Sequence, residues 1–280
     1  MRSRLLWTAV IGASVLLAGC GDRAAGPAGD GRYGRLALAP CATGEGAMRA
    51  EAMCGILEVP EDRGAPGGRR IALNIAVLPA RNAAGLEPVF FLAGGPGQAA
   101  TALAGHIDVA LREVRRSRDV VLVDQRGTGR SNPLDCVAAD GTPLPFDATR
   151  MSDPAAIAGY AQRCAAGLDG RADPRHYTTA AAIADLDDVR AALGAETVDL
   201  VGGSYGTRVA QHYAARYPQH VRSLVLDGVA PNDLVIGAEF AHTFESALRL
   251  QAAQCDETEG CRERFPTDAP TQLRQVMDRL

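Results

Sequence analysis

The chain has 280 residues, of which 47% are hydrophobic and 22% are charged, and its formal net charge is −4. These values are ordinary for a globular protein and exclude a disordered, collagen-like or coiled-coil chain. Every one of the 29 lysine-or-arginine positions is an arginine, but 33 acidic residues outnumber them. The chain therefore has no excess positive charge to neutralise phosphates, and nucleic acid is not an expected partner.

The N-terminus has the features of a bacterial export signal. Two arginines precede an apolar run over residues 5–17, which is short for a membrane span but suits a secretory signal. The run ends in Leu-Ala-Gly-Cys, which is similar to the bacterial lipobox, where cleavage leaves a lipidated cysteine. A signal peptide followed by an incidental cysteine is the alternative. We expect residues 1–19 to be the signal peptide, and 20–40 to be the lipidated Cys20 and a flexible tether. The protein would then be an exported lipoprotein, anchored to a membrane of the cell envelope on its periplasmic side.

Six further cysteines follow the predicted cleavage site. An even number in an exported chain favours disulfides over metal or redox chemistry. No two of them have the Cys-x-x-Cys spacing of a zinc site, and we expect neither a metal nor a cofactor. The sequence leaves several pairings open, and the most economical one joins near neighbours: Cys41–Cys54, Cys136–Cys164 and Cys255–Cys261.

The next elements in chain order are predicted strands. Short apolar stretches over 54–59 and 71–78, separated by a turn-rich segment, favour an antiparallel hairpin. Four later runs are mostly apolar throughout, as strands buried on both faces of a parallel sheet must be. These runs cover residues 89–92, 120–123, 198–201 and 224–226.

Helical patterns lie between these runs. Apolar residues over 183–193 recur at three- and four-residue intervals and stop at Gly194, and Thr178 or Thr179 could cap the start. A second amphipathic helix covers residues 205–217, where a proline ends it. The alternation predicts an α/β fold with a mostly parallel, doubly wound sheet.

Two segments interrupt the alternation. Residues 132–176 contain one predicted helix, which starts at Pro154 behind an Asp153 cap, and they form an excursion beside the sheet. After Pro231, apolar residues at four-residue spacing predict a mainly helical segment up to Leu280. No further parallel strand is predicted there.

The clearest chemical motif is Gly202-Gly203-Ser204-Tyr205-Gly206, which fits Gly-x-Ser-x-Gly between an apolar strand and an amphipathic helix. A nucleophile elbow requires this context, because its sharp turn holds the serine in a strained conformation. Side chains at 202 or 206 would collide with the neighbouring strand and helix. Ser204 is the predicted nucleophile.

A second motif, Ala-Gly-Gly-Pro-Gly over residues 93–97, follows the predicted strand at 89–92. A serine that becomes acylated needs backbone N–H donors facing the oxyanion. Pro96 has no N–H. The predicted donors are therefore Tyr205 and Gly95, whose missing side chain lets a carbonyl oxygen approach. A glycine-rich turn with only a structural role is the alternative.

A charged loop, Asp-Gln-Arg-Gly-Thr-Gly-Arg-Ser over residues 124–131, follows the predicted strand at 120–123. Its charges could contact substrate. We favour a hydrogen-bonded structural loop that forms the floor beneath the glycine-rich turn.

Four motifs occur in one order: the Gly-Gly-Pro-Gly turn, the charged loop, a Thr-Thr-x-x-x-Ile-x-Asp-Leu-Asp-x-Val-Arg helix over 178–190, and the elbow. Together they resemble the proline iminopeptidases of the α/β-hydrolase family, and especially their exported, tripeptidyl-aminopeptidase-like branch. Ala93 stands where prolyl iminopeptidases usually have His, and Tyr205 where they usually have Trp, which points to that branch.

The resemblance implies an α/β-hydrolase core over 41–231 and the start of a helical cap over 232–280. It also implies a serine hydrolase that releases amino acids or short peptides from peptide N-termini, through an acyl-enzyme on Ser204. Peptides are then the expected partners, together with a membrane through the lipid anchor.

One departure from the family is large. In that family the catalytic residues occur along the chain in the order Ser, then Asp, then His. The Asp and the His lie on loops after later strands that are absent here. We interpret the five histidines as surface or packing residues. Asp227, at the end of its strand, is a weaker candidate for the acid. We therefore expect the catalytic Asp and His to lie beyond the chain, which would be truncated within the cap and inactive alone.

Two other functions remain open. The fold and the elbow do not distinguish amide substrates from ester substrates, so an esterase or lipase is one alternative. An inactive, shortened binding protein is the other. Acidic cap residues that hold the substrate's α-ammonium would favour the peptidase. Glu239 and Glu245 are candidates, although both also suit a solvated helix face.

Overall fold

The computed structural model describes residues 32–138, 140–150, 152–235, 237–264 and 268–279. The predicted signal peptide, Cys20 and the first part of the predicted tether lie outside these ranges. Two compact units are present, with the boundary between Val229 and Ala230. No helix within the described ranges is long and apolar enough to cross a membrane.

The first unit contains all the strands of the described chain. They are β1 (Arg32–Tyr33), β2 (Leu36–Ala37), β3 (Ala39–Glu45), β4 (Met48–Pro60), β5 (Arg70–Leu78), β6 (Val89–Leu92), β7 (Val120–Val123), β8 (Val198–Gly203) and β9 (Val221–Asp227). Strands β1 and β2 form a small hairpin, and the other seven form one sheet in the order β3-β4-β5-β7-β6-β8-β9. From β3 to β7 the neighbours pair antiparallel, whereas β7, β6, β8 and β9 run parallel. The sheet is thus mixed, and its parallel half carries the predicted motifs.

The predicted strands are confirmed, with one difference in burial. The hairpin is β4–β5, in which Val59 pairs with Ile71, and the four apolar runs form β6 to β9. Strand β9 lies at the sheet edge, where Leu224 is 37% exposed and Val225 54%. The expectation that it is buried on both faces is wrong for the described residues, because β8 is its one neighbour among them.

Seven α-helices lie within the described ranges: α1 (Ala104–Ala110), α2 (Pro154–Gly167), α3 (Thr179–Leu193), α4 (Tyr205–Arg216), α5 (Phe240–Glu257), α6 (Glu259–Arg264) and α7 (Ala269–Met277). The predicted caps are confirmed. The Thr178 side chain accepts a hydrogen bond from the Ala181 N–H, and Gly194 ends α3 at φ 76°. Asp153 caps α2, as expected. In the second unit α5, α6 and α7 lie within the mainly helical segment predicted after Pro231, and they confirm it for the described residues.

Helices pack on both faces of the sheet. On one face α3 and α4 bury apolar side chains such as Leu186 and Val209 against the strands. On the other face α1 contributes Ala104 and Ile107. This two-sided cover is the doubly wound arrangement that the alternation predicts.

Part of the predicted tether is folded. Tyr33, Leu36 and Leu38 are buried in the same core as α3, and the Arg35 N–H donates to the Ala192 carbonyl. The prediction of a flexible tether up to residue 40 is therefore wrong from residue 32 onward. Three apolar residues over so short a stretch show no clear period, and their burial depends on α3, which lies far along the chain.

The three disulfides pair as the local scheme predicts, with Cα–Cα distances of 5.9, 4.6 and 5.1 Å. Cys41–Cys54 joins β3 to β4. Cys136–Cys164 ties the loop before α2 to that helix, and Cys255–Cys261 joins α5 to α6 within the second unit.

Candidate active site

Three candidate features meet at the carboxyl edge of the parallel strands. Leu92 of β6 pairs with Gly202 of β8, and Gly203 of β8 pairs with Asp227 of β9. Parallel strands end at the same edge of a sheet, which is where open α/β sheets bind ligands. The turn after β6, the serine after β8 and the aspartate that ends β9 therefore lie side by side.

Ser204 has the backbone of a nucleophile elbow. Its φ of 53° and ψ of −121° are values that an L-residue rarely adopts, at a cost of about 1–3 kcal/mol. Hydrogen bonds hold this conformation. The Ser204 N–H donates to the Asp227 carbonyl at 2.8 Å, and its own carbonyl accepts from the Thr207 N–H and hydroxyl at 2.9 and 2.6 Å. The side chain is exposed, so the strained turn presents the hydroxyl to solvent.

The glycines around Ser204 permit very close packing. A Cβ on Gly206 would lie 2.0 Å from the Leu92 carbonyl oxygen in β6, and one on Gly202 would lie 2.6 Å from the Gly206 oxygen in α4. Both distances are far below van der Waals contact, so a side chain would force the elements apart. The predicted collisions are thus confirmed. Gly203 has more room, since its nearest neighbour would be the Phe91 ring at 3.9 Å.

The glycine-rich turn after β6 lies directly against the nucleophile. A Cβ on Gly94 would be 3.1 Å from Ser204 Cβ and 3.5 Å from Ser204 Oγ. Gly95 has a φ of 103°, and a Cβ there would be 2.8 Å from the Gly97 nitrogen. Sequence reasoning assigns no role to Gly94, although its place before Gly95 at a strand end was a usable signal. The Gly95 and Tyr205 N–H groups stay predicted oxyanion donors, and the closeness of this turn to Ser204 supports that prediction.

We expect Gly95→Val to lower kcat by about 100-fold or more, because a misplaced N–H loses much of the oxyanion stabilisation. A β-branched side chain at φ 103° would distort the turn. Gly170→Val is the matched control, since Gly170 also has a positive φ, of 71°, but nothing lies within 4 Å of its Cβ position. Steady-state kinetics on both folded variants measure the difference. Wild-type kcat in Gly95→Val would show that the turn is only structural.

The charged loop after β7 is anchored by a buried carboxylate. Asp124 Oδ1 accepts from the Thr101 N–H at 2.9 Å, and Oδ2 accepts from the Thr101 hydroxyl at 3.0 Å and the Asn74 amide at 2.9 Å. Asp124 also accepts from the Arg130 N–H within its own loop. Thr101 closely follows the glycine-rich turn. Asp124 therefore ties that turn to the sheet, which supports the structural interpretation of the loop.

Arg126 of the same loop is a buried cation with every donor satisfied. Its Nε and Nη2 donate to the two Asp185 carboxylate oxygens at 2.6 and 2.7 Å. The remaining N–H groups reach the carbonyls of Pro60, Glu61 and His176 at 3.2, 2.7 and 2.9 Å. A guanidinium has five N–H donors, and all five are used. Arg126 thus fixes the loop to α3 and has no donor left for a substrate.

No histidine in the described ranges hydrogen-bonds to Ser204 or to the Asp227 carboxylate. His220 Nδ1 lies 2.7 Å from Asp187 Oδ1, but His220 follows the far end of α4. The 12 residues of α4 place that end about 18 Å from Ser204. The other four histidines lie in α1, α4 and α5 and just before α3: His106, His212, His242 and His176.

The His220–Asp187 pair belongs to a structural network. Burial opposes ionisation of Asp187, but hydrogen bonds from Arg190, Tyr213 and His220 outweigh it and lower the pKa of this carboxyl. The same carboxylate thus serves three donors from α3, α4 and the loop after α4. The predicted packing role of His220 fits this arrangement.

The weaker acidic candidates gain no catalytic partner among the described residues. No hydrogen bond or ion pair from a described residue reaches the exposed Asp227 carboxylate, whose backbone carbonyl instead supports Ser204. In the second unit Glu239 is exposed. Glu245 forms an ion pair with Arg249 at 2.7 Å on the surface of α5. These contacts favour solvated helix positions for both glutamates.

Sequence reasoning gives Thr179 at most a capping role, which the structure assigns to Thr178. The Thr179 hydroxyl instead lies 2.6 Å from the Tyr205 hydroxyl, beside the elbow. The sequence feature that could have indicated this second role is the second threonine of the Thr-Thr motif, since one threonine suffices for a cap.

Comparison with known proteins identifies the family. The family described as alpha/beta hydrolase fold matches residues 87–276. The chain is 30% identical over 278 residues to serine protease Hip1 of Mycobacterium tuberculosis (strain ATCC 25618 / H37Rv), covering 93% of this chain and 53% of that protein. It is 31% identical over 193 residues to the tripeptidyl aminopeptidase of Streptomyces lividans, covering 63% and 35%. It is also 31% identical over 143 residues to the proline iminopeptidase of Neisseria gonorrhoeae, covering 51% and 32%.

The chain belongs to the α/β-hydrolase fold family. The names of these relatives confirm the predicted resemblance to its peptidase branch. The chain spans about half the length of the first of these relatives, and about a third of the other two.

Proposed function

We propose that the protein is a serine peptidase that releases amino acids or short peptides from the N-termini of peptides. The observation that carries this proposal is Ser204, strained at φ 53°, exposed, and packed against Gly94 at the carboxyl edge of the sheet. Relatives named as a serine protease, a tripeptidyl aminopeptidase and a proline iminopeptidase support the peptide substrate.

In the proposed reaction, Ser204 Oγ attacks the carbonyl carbon of the scissile amide and its proton passes to a general base. The N–H groups of Gly95 and Tyr205 stabilise the negative oxygen of the tetrahedral intermediate. The base then protonates the leaving amine, which leaves an ester between Ser204 and the N-terminal part of the substrate. Water, deprotonated by the same base, hydrolyses that ester and regenerates the serine.

We place the general base, a histidine, and its aspartate outside the described residues. A serine hydroxyl is a weak nucleophile until an adjacent base takes its proton, and Ser204 has no such partner in the described ranges. The relatives are about two to three times as long as the matched part of this chain. These facts support a triad completed by a later segment, so activity should be measured on the product of the complete gene.

The substrate class is tested with matched compounds. A tripeptide 4-nitroanilide with a free α-ammonium should be cleaved with a kcat/KM at least about 100-fold higher than its N-acetylated form, because an N-terminal peptidase must recognise that charge. A short-chain 4-nitrophenyl ester is the third compound. Equal turnover of the free and acetylated peptides would mean that the α-ammonium is not recognised and would contradict an N-terminal peptidase. Turnover of the ester alone would favour an esterase.

We also propose that the protein is a lipoprotein anchored through Cys20. The lipobox-like sequence after the apolar run supports this proposal. In a bacterial host, the wild-type protein should incorporate labelled palmitate and enter the detergent phase of Triton X-114, whereas Cys20→Ser should do neither. A Cys20→Ser protein that still takes up palmitate would contradict the anchor.

A further inference from the structure

Helices α3 and α4 are joined by two side-chain hydrogen bonds. The near bond, beside the elbow, links Thr179 Oγ1 and Tyr205 Oη at 2.6 Å. The far bond runs from Tyr213 Oη to Asp187 Oδ1 at 2.9 Å. Eight residues separate the two bonded positions on each helix, so the bonds lie about 12 Å apart along both axes. The two helices therefore run in the same direction, and the pair of bonds fixes their register.

The near bond acts on the residue that directly follows the nucleophile. Tyr205 is the first residue of α4, and Ser204 is its N-cap. The Tyr205 N–H is a predicted oxyanion donor, so a small rotation of this first turn would move that donor and Ser204 Oγ together. Both Thr179 and Tyr205 are half-buried, which protects the bond from competition with water.

The helix that supplies Thr179 is itself firmly held. Thr178 caps α3 through the Ala181 N–H, which leaves the neighbouring Thr179 hydroxyl for Tyr205. Asp185, two turns further along α3, forms the buried double hydrogen bond to Arg126. The near bond thus connects a fixed helix to the strained elbow, and the two threonines of the motif have separate tasks.

We propose that Thr179 is a positioning residue that acts through Tyr205. Its hydroxyl holds the Tyr205 side chain and thereby orients the first turn of α4, so that Ser204 Oγ and the Tyr205 N–H face the reacting carbonyl together. This inference rests on the proposed function. Thr179 itself does not need to touch the substrate, so its loss should change kcat and leave KM nearly constant.

The test uses the product of the complete gene and a peptide 4-nitroanilide. Thr179→Val keeps the shape but removes the hydroxyl, and Tyr205→Phe removes the other end of the bond. Each should lower kcat by about tenfold with KM changed less than about twofold, and the double variant should be no slower than the worse single variant. Thr179→Ser should restore kcat to within about twofold. Tyr213→Phe, which removes the far bond, is the matched control and should lower the urea midpoint while kcat stays within about twofold.

Several results would overturn the proposal. Unchanged kcat in both Thr179→Val and Tyr205→Phe would do so, as would a double variant slowed by the product of the two single effects. A rise in KM with constant kcat would mean that these side chains bind substrate instead. If Thr179→Val fails to fold, Tyr205→Phe and Thr179→Ser still decide the question. Failure of the proposed function would give a different result. Ser204→Ala would then retain its turnover, independently of the result for the Thr179 variants.

Discussion

Replacing Ser204 with alanine is expected to lower peptide arylamide hydrolysis by about 10⁴-fold or more. The side chain is exposed and its hydroxyl has no hydrogen-bond partner in the described chain, so its removal deletes the nucleophile without breaking a structural contact. Hydrolysis that remains would come from the oxyanion donors and substrate binding alone. A fluorophosphonate probe should label wild-type protein on the peptide containing Ser204 and should not label the variant.

Ser152→Ala is the matched control for this experiment. It makes the same chemical change at an exposed serine in the loop before α2, so its activity and labelling should equal the wild type. Circular dichroism and the melting temperature should show that both variants are folded. Turnover by Ser204→Ala at the wild-type rate would remove the serine from the mechanism and leave the elbow with only a structural role.

The largest effect on stability is expected from Asp185→Ala. The Arg126 and Asp185 side chains are only 1% and 3% exposed, and Asp185 accepts two of the five Arg126 hydrogen bonds as well as one from Arg63. Removing the carboxylate leaves a buried guanidinium with unpaired donors, which costs about 3–5 kcal/mol. The free energy of unfolding, measured by urea titration, should fall by this amount, and Tm should fall by about 10 °C.

Asp188→Ala provides the comparison on the same helix. Asp188 is 46% exposed, and among the described residues it binds only Arg63, at 2.8 Å, so water screens and replaces its interaction. The expected loss in the free energy of unfolding is below about 1 kcal/mol. Similar losses for the two variants would mean that the Arg126–Asp185 pair is not buried in solution as it is in the structure.

The elements with local signals were predictable from the sequence. Helix α3 begins behind Thr178 and ends at Gly194 because a cap and a left-handed glycine act over only a few residues. Strands β6 and β7 are short apolar runs with the predicted bounds, 89–92 and 120–123. The elbow also has a local signal, since five consecutive residues between a strand and a helix suffice to identify Ser204.

Burial and strand neighbours were less predictable. The apolar run in β9 looks like that of a buried strand, yet its exposure follows from its place at the end of the sheet order. Strand β3 was missed because its sequence, Ala-Pro-Cys-Ala-Thr-Gly-Glu, has little strand propensity, and pairing with β4 and the Cys41–Cys54 disulfide hold it. The sequence of residues 32–38 predicts a tether because no local pattern shows that their burial depends on α3, which is distant in the chain.

The sequence by itself therefore determined the type of fold and the nucleophile, because both are encoded by short patterns of hydrophobicity and glycine. Only the tertiary structure decided what surrounds that nucleophile. Gly94 approaches Ser204 from β6, the Asp227 carbonyl holds its N–H from β9, and Thr179 reaches Tyr205 from α3. These groups lie from 23 to 110 positions away from Ser204 in the chain. They meet because β6 and β9 flank β8 and α3 packs beside α4, and that adjacency is a property of strand order and helix packing that no local pattern records.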